Sequence, residues 1–176
     1  MPIGFKNGTG GTQHSVQIAV NGMLAAGQPH GLLSVDADGR LAEIHTKGNP
    51  GAHLILRGGE HGSNYDPESI RTACDMLRKA GFPERVIVDC SHGNSGKDHR
   101  RESGVFRDVL YRKRPGGKCV AGLMLEGNLN EGCQKLNGGG LESLLYGTSI
   151  TDACIGWAET EKLILETHAF LSESLQ

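Results

Sequence analysis

Three runs in this sequence lack the polar–apolar alternation of a half-exposed strand: "AHLILRGG" at 52–59, ending in Arg57 and two glycines, "VIVD" at 86–89 and "KCVAGLMLEG" at 118–127. A strand that is apolar on both faces has no side to give to water. Such strands belong in parallel sheets, which need a long crossover between neighbours, usually a helix. The intervening sequence supplies those helices. Thr12 to Ala26 places Val16, Ala19, Val20, Met23 and Leu24 at helical spacing, with Gly27 as a C′ stop. "YDPESIRTACDMLRKAG" offers Asp66 as a cap, Pro67 for the first turn, a stripe of Ile70, Cys74 and Leu77, and Gly81 as a stop. His99 to about Arg112 turns Val105, Val109 and Leu110 inward, and a last helix spans about Glu159 to Ser172.

A further short strand-like run opens the chain at Pro2–Lys6, before the glycine-rich turn "NGTGGT". Between the first helix and "AHLIL", two alternating runs flank Asp36-Ala37-Asp38-Gly39, which predicts a β-hairpin over about 31–47. The order is strand–helix, hairpin, strand–helix, strand–helix, strand–loop–helix. That is an α/β fold of four βα units in one domain over 1–176, a length that suits one domain.

Composition narrows the function classes. An apolar content of 37% with 22% charged residues favours a folded core over disorder. A net charge of −2 gives no overall drive toward nucleic acid or an anionic membrane. No apolar run reaches the ~18 residues of a membrane span. Met1 to Lys6 shows no h-region or cleavage site, so no signal peptide is expected. The five cysteines are odd in number and form no C-x-x-C, which predicts reduced thiols in a cytoplasm.

The chemistry collects at the strand ends. Lys6, Arg57, His92 and Glu126 each close a strand, where parallel α/β folds build their sites. Singly, each has an ordinary explanation. A strand-end Lys or Arg is most often a solvated charge, a lone His is more often structural than a ligand, and Glu126 is able to cap its loop. Asp152, in "SITDAC", equally suits a helix N-cap. Jointly they form a pattern. Lys6 and Arg57 are cations of the kind that clamp phosphate or carboxylate. His92, Glu126 and Asp152 supply one nitrogen and two oxygen donors, a set suited to a divalent metal such as Mn, Fe, Co or Zn. A metal beside two cations implies a phosphorylated substrate with a carbonyl to polarise.

Cys90 lies two residues before His92, so strand alternation would put both on one side. It is either a thiolate for the same metal or, the favoured choice, a small buried core residue. Lys97, His99, Arg100 and Arg101 read as a solvated helix start, with Lys97 in reach of a phosphate. "NGTGGT" has the composition of a phosphate nest but not the Lys-Ser/Thr ending of a P-loop.

The blocks "GFKNGTGGT", "HLILRGG", "VIVDCSHGNSGK", "GLMLEGNLNEG" and "YGTSITDACIGW" resemble, in order and over essentially the whole chain, motifs of the metal-dependent 3-deoxy-D-arabino-heptulosonate 7-phosphate (DAHP) synthases of the aromatic-amino-acid-regulated microbial class. The resemblance implies a (β/α)8 TIM barrel, of which this chain would be the C-terminal half with an inserted hairpin. It implies condensation of phosphoenolpyruvate with erythrose 4-phosphate, the first step of the shikimate pathway of aromatic amino acid biosynthesis. Lys6 and Arg57 match residues that hold phosphoenolpyruvate, with Lys6 also a candidate acid. His92, Glu126 and Asp152 match three metal ligands. The hairpin matches an effector-binding insertion, with Ser34 at an effector contact.

The same resemblance puts a cysteine ligand and a Lys-Pro-Arg-Thr loop for the sugar phosphate upstream of Met1. Departures from its usual wording are "TGGT" for "TDGT", "LEGNL" where a Ser usually follows the glutamate, and the glycines of "SHGNSGK". A four-stranded half would leave two open edges and an apolar inner face. Pairing is therefore expected, as a homo-oligomer or with a complementary N-terminal half-barrel. The alternative is a catalytically incomplete fragment or subunit, or a non-catalytic metal- or effector-binding module.

Overall fold

Hydrogen bonds join the expected runs into one parallel sheet. The computed structural model describes residues 1–112, 119–136 and 138–173. Lys118, read as the start of the last strand, and the remaining residues of the 1–176 span lie outside the described residues. In chain order the elements are β1 (Ile3–Lys6), α1 (Gln13–Ala26), β2 (Gly31–Val35), β3 (Leu41–His45), β4 (Ala52–Leu56), α2 (Pro67–Lys79), β5 (Val86–Asp89), α3 (Glu102–Arg112), β6 (Val120–Met124) and α4 (Trp157–Glu173). Strands β1, β4, β5 and β6 pair in that order, all parallel. Each is separated from the next by a helix, as parallel neighbours require. Strands β2 and β3 form a separate antiparallel hairpin, Gly31 opposite His45 and Val35 opposite Leu41.

Local chemistry sets the helix ends. Thr12 caps α1 by accepting the Ser15 N–H, and Asp66 caps α2 by accepting from Glu68 and Ser69. Gly81 ends α2 at φ +81°, a left-handed conformation that favours glycine. Gly27 differs from expectation. It stays right-handed at φ −72° and closes α1 by donating to Met23 O. A 3-10 turn at His99–Arg101 precedes α3, so the expected single helix starts in two pieces.

The core lies between sheet and helices. Leu54, Leu56, Val86, Val88 and Cys90 are fully buried and pack with Val20, Met23, Cys74, Leu77 and Val109. Cys90 is thus a core residue, and burial pushes its thiol up to about 12. The other sheet face is lined at its base by small and aliphatic residues. Gly4 leaves room for Ile55, whose Cδ1 occupies the place of a Cβ, and Gly122 faces Ile87. Above them the face turns ionic, with Lys6 paired to Asp89.

Three asparagines stitch the strand ends together. Asn7, Asn64 and Asn94 are all buried. Asn7 Oδ1 accepts the Arg57 N–H at 2.9 Å and Asn64 Nδ2 at 3.1 Å. Asn64 Oδ1 accepts the Gly58 N–H at 2.7 Å. Asn94 Oδ1 accepts the Asn64 N–H at 2.8 Å, and its Nδ2 donates to Leu56 O at 3.2 Å and Asp89 O at 2.8 Å. Strand-end carbonyls without a ladder partner are satisfied by side-chain amides, as buried polar groups must be. Gly59 lets the loops after β1 and β4 touch backbone to backbone, since Thr9 O and Gly11 N stand where its Cβ would be.

Replacing Asn94 by Ala orphans two carbonyls and one N–H. We expect a loss of about 2–4 kcal/mol in urea unfolding, at ~1–3 kcal/mol for each unsatisfied buried group less relaxation. A loss below about 0.5 kcal/mol would show that these bonds do not hold the strand ends.

Candidate metal and anion site

The sequence of β5 delivers more than its last residue. Asp89, the final strand residue, points away from the helical core and is fully buried. Its Oδ2 accepts from Lys6 Nζ at 2.7 Å, and its Oδ1 accepts the Ser91 N–H at 3.0 Å. His92 Nδ1 lies 2.9 Å from the same Oδ2, off the line of a good hydrogen bond. The chain turns sharply there. His92 has φ +54° and Lys97 φ +62°, both left-handed and uncommon for residues with a Cβ. The Lys97 N–H donates to His92 O at 2.7 Å and closes the loop. Non-glycine residues held in this region cluster at functional sites.

This turn overrides strand alternation. Cys90 faces the helices while His92 swings back to the side of Asp89, so the two do not share a face as expected. With Nδ1 against Asp89, the other nitrogen points across to the end of β6. His92 Nε2 lies 3.2 Å from Glu126 Oε1. A carboxylate against an imidazole limits how the ring can turn, and a carboxylate–histidine pair is the arrangement that orients metal-binding histidines.

Asp152 arrives from the loop before α4. Ile155, buried at 3% exposure, donates its N–H to Glu126 O at 3.0 Å and accepts from Asn128 N. Cys154 exchanges two backbone bonds with Gly132. The segment is pinned along the β6 end, and Asp152 stands free of α4, which begins at Trp157. The N-cap alternative for Asp152 therefore falls. One donor atom each from His92, Glu126 and Asp152 lies within 4.8 Å of the others. Among the described residues no cysteine joins that cluster.

The cluster opens on a cleft of about 200 Å³, lined also by Arg57 and Lys97. Lys6 is set beside it through Asp89. Its neighbour is that anion. Ser34 lies on β2 of the hairpin, partly buried and opposite Ala42, and is not among the cleft residues.

Sequence reasoning missed the residues behind the site. Asp89 was read as the end of an apolar strand. Its signal was a carboxylate at a buried strand end, three residues before a histidine. Glu102 falls inside the helix expected from His99 and carries no local signal of its own. It lines the cleft floor at 1% exposure, and its Oε2 accepts the Glu126 N–H at 3.1 Å. Burial, followed by the Glu126 and Asp89 charges and offset by bonds from the Glu126 N–H and Ser91, pushes its carboxyl up to about 7. His99 ties the entry of α3 to the loop after β6 through Glu131 at 3.0 Å.

Known proteins resemble this chain over nearly its whole length. The chain is 43% identical over 175 residues to the Tyr-sensitive phospho-2-dehydro-3-deoxyheptonate aldolase of Salmonella typhimurium, a match over 99% of this chain and 48% of that protein. It is 44% identical over 168 residues to the phenylalanine-inhibited aldolase of the same name from Saccharomyces cerevisiae, covering 93% of this chain and 45% of that one. The solved phospho-2-dehydro-3-deoxyheptonate aldolase of Francisella tularensis superposes with a TM-score of 0.86 at 38% identity, over 97% of this chain and 48% of that structure. The chain thus spans about half the length of these relatives. With residues 1–165, from β1 through the cleft and into α4, matching the family as a whole, this chain belongs to the DAHP synthetase I family.

Proposed function

We propose that this chain carries the metal-binding and phosphoenolpyruvate-binding half of a DAHP synthase centre, on four βα units of a (β/α)8 barrel. The observation that carries the reading is the convergence of His92, Glu126 and Asp152 at the lip of a cleft that also holds Arg57 and Lys97. The donor set suits a first-row divalent ion such as Mn, Fe, Co or Zn. Bonds of ~2.1 Å place ligands up to ~4.2 Å apart, slightly tighter than the spread here. Asp152 is exposed and on a loop, so it is the member with freedom to move inward.

In this reading His92 Nε2, Glu126 and Asp152 hold the ion, and Asp89 keeps the imidazole turned toward it. The ion would supply a Lewis acid for the aldehyde oxygen of erythrose 4-phosphate. Arg57 offers its guanidinium fork to the phosphate or carboxylate of phosphoenolpyruvate. Its backbone is fixed by Asn7 and Asn94, which sets the angle of approach. Lys6 lends its charge to the same anion, while its bond to Asp89 fixes where that charge stands.

The half-length match favours a further element. We propose that a complementary N-terminal half supplies the remaining ligand and the grip on the sugar phosphate, and covers the outer edges of β1 and β6. Ser34 and the hairpin are assigned to effector binding on the same basis of resemblance. The five cysteines are all free thiols, which fits a reducing cytoplasm. No described helix is long and apolar enough to cross a membrane.

Two experiments test the reading. Titration of the purified chain with Mn²⁺, followed by the loss of free-ion EPR signal, should show one bound ion. His92→Ala should weaken it by more than about 100-fold, beyond the range seen for outer partners. Equal binding by wild type and His92→Ala would overturn the assignment. Separately, the chain mixed with Mn²⁺, phosphoenolpyruvate and erythrose 4-phosphate should release phosphate only when an N-terminal half from a relative is added. Turnover by the chain alone would overturn the need for a second half, and none in either mixture would overturn the activity.

A further inference from the structure

A buried carboxylate off the metal cluster is unexplained by the proposed chemistry. Glu102 opens α3, is 1% exposed and makes no ion pair among the described residues. An acid so buried must be held by hydrogen bonds. Its bonds go to two places that matter. Glu102 Oε2 accepts the Glu126 N–H at 3.1 Å, and the Ser91 hydroxyl lies near enough to its carboxyl to favour the charged form. The same Glu126 N–H points at Ser91 Oγ, again at 3.1 Å. Three elements therefore meet at one carboxylate: the end of β5 at Ser91, the end of β6 at Glu126 and the start of α3. Ser91 is the residue immediately before His92. Glu126 is the residue whose Oε1 faces His92 Nε2.

We propose that Glu102 is a positioning residue, whose buried carboxylate sets the spacing between His92 and Glu126 by sharing the Glu126 N–H with Ser91, the residue before His92. This inference rests on the metal reading above. What the junction needs is an acceptor oxygen rather than a charge, because both partners are neutral donors. A carboxamide keeps one acceptor oxygen at that place and a methyl group keeps none.

The test is Mn²⁺ affinity of the full chain, read by EPR, beside its melting temperature. Glu102→Ala should bind about 10-fold more weakly or worse, the range for residues that orient ligands. Glu102→Gln should stay near wild type. Val105→Ala, a core truncation on the same helix, should lower the melting temperature and leave affinity unchanged. If Glu102→Ala does not fold, Ser91→Ala removes only the hydroxyl link and should weaken binding by itself. Wild-type affinity in Glu102→Ala or Ser91→Ala overturns the inference. So does a Glu102→Gln variant as weak as Glu102→Ala, or a Val105→Ala variant as weak as either. Wild-type protein that takes no Mn²⁺ overturns the metal reading itself, and is told apart by that result.

Discussion

Asp89 is the point on which this structure turns. It is a carboxylate with no exposed surface, at the end of a central strand, holding a lysine from β1 and a histidine from its own loop. A buried charge is tolerated only when it is paired and bonded. Asp89 meets that requirement with Lys6 and the Ser91 N–H, and it stands 2.9 Å from the His92 ring, so it limits where each of them can stand. The imidazole is left with one free edge, toward Glu126. The proposed metal site follows from that single choice of orientation, because a freely rotating His92 would present no fixed donor to the cleft.

The rest of the fold supplies rigidity around this pair. Parallel strands end in loops that the ladder does not satisfy, and a site built on them needs other bonds. Here Asn7, Asn64 and Asn94 take that role on one side of Asp89, with Ser91 and Glu102 on the other. Glycines let the loops approach closely enough for these short side chains to reach. The polar junction stands on a dry base of Leu54, Leu56, Val86 and Val88, which gives the strand ends fixed positions.

Much of this was legible in the sequence. The both-face-apolar runs gave away the parallel strands, and the turn Asp36-Ala37-Asp38-Gly39 gave away the hairpin. Lys6, Arg57, His92, Glu126 and Asp152 stood out because each ionisable group sits at a strand end or in the last loop. The partners behind them did not stand out. Glu102 and Glu126 are 24 residues apart, and nothing local says that one bonds the backbone of the other. Asp89 and Lys6 are 83 apart. The placement of Cys90 failed for a different reason: alternation holds only while the strand lasts, and His92 leaves it at φ +54°. Long-range pairing and one left-handed residue are the features that periodicity does not carry.

The most direct test of the central role of Asp89 is Mn²⁺ affinity in Asp89→Asn, a change that keeps shape and removes the charge behind the imidazole. The account predicts a loss of about 10–100-fold in affinity, the effect expected when a carboxylate that orients a metal-binding histidine is lost. Wild-type affinity in this variant would contradict it, and would mean that His92 finds its orientation without Asp89.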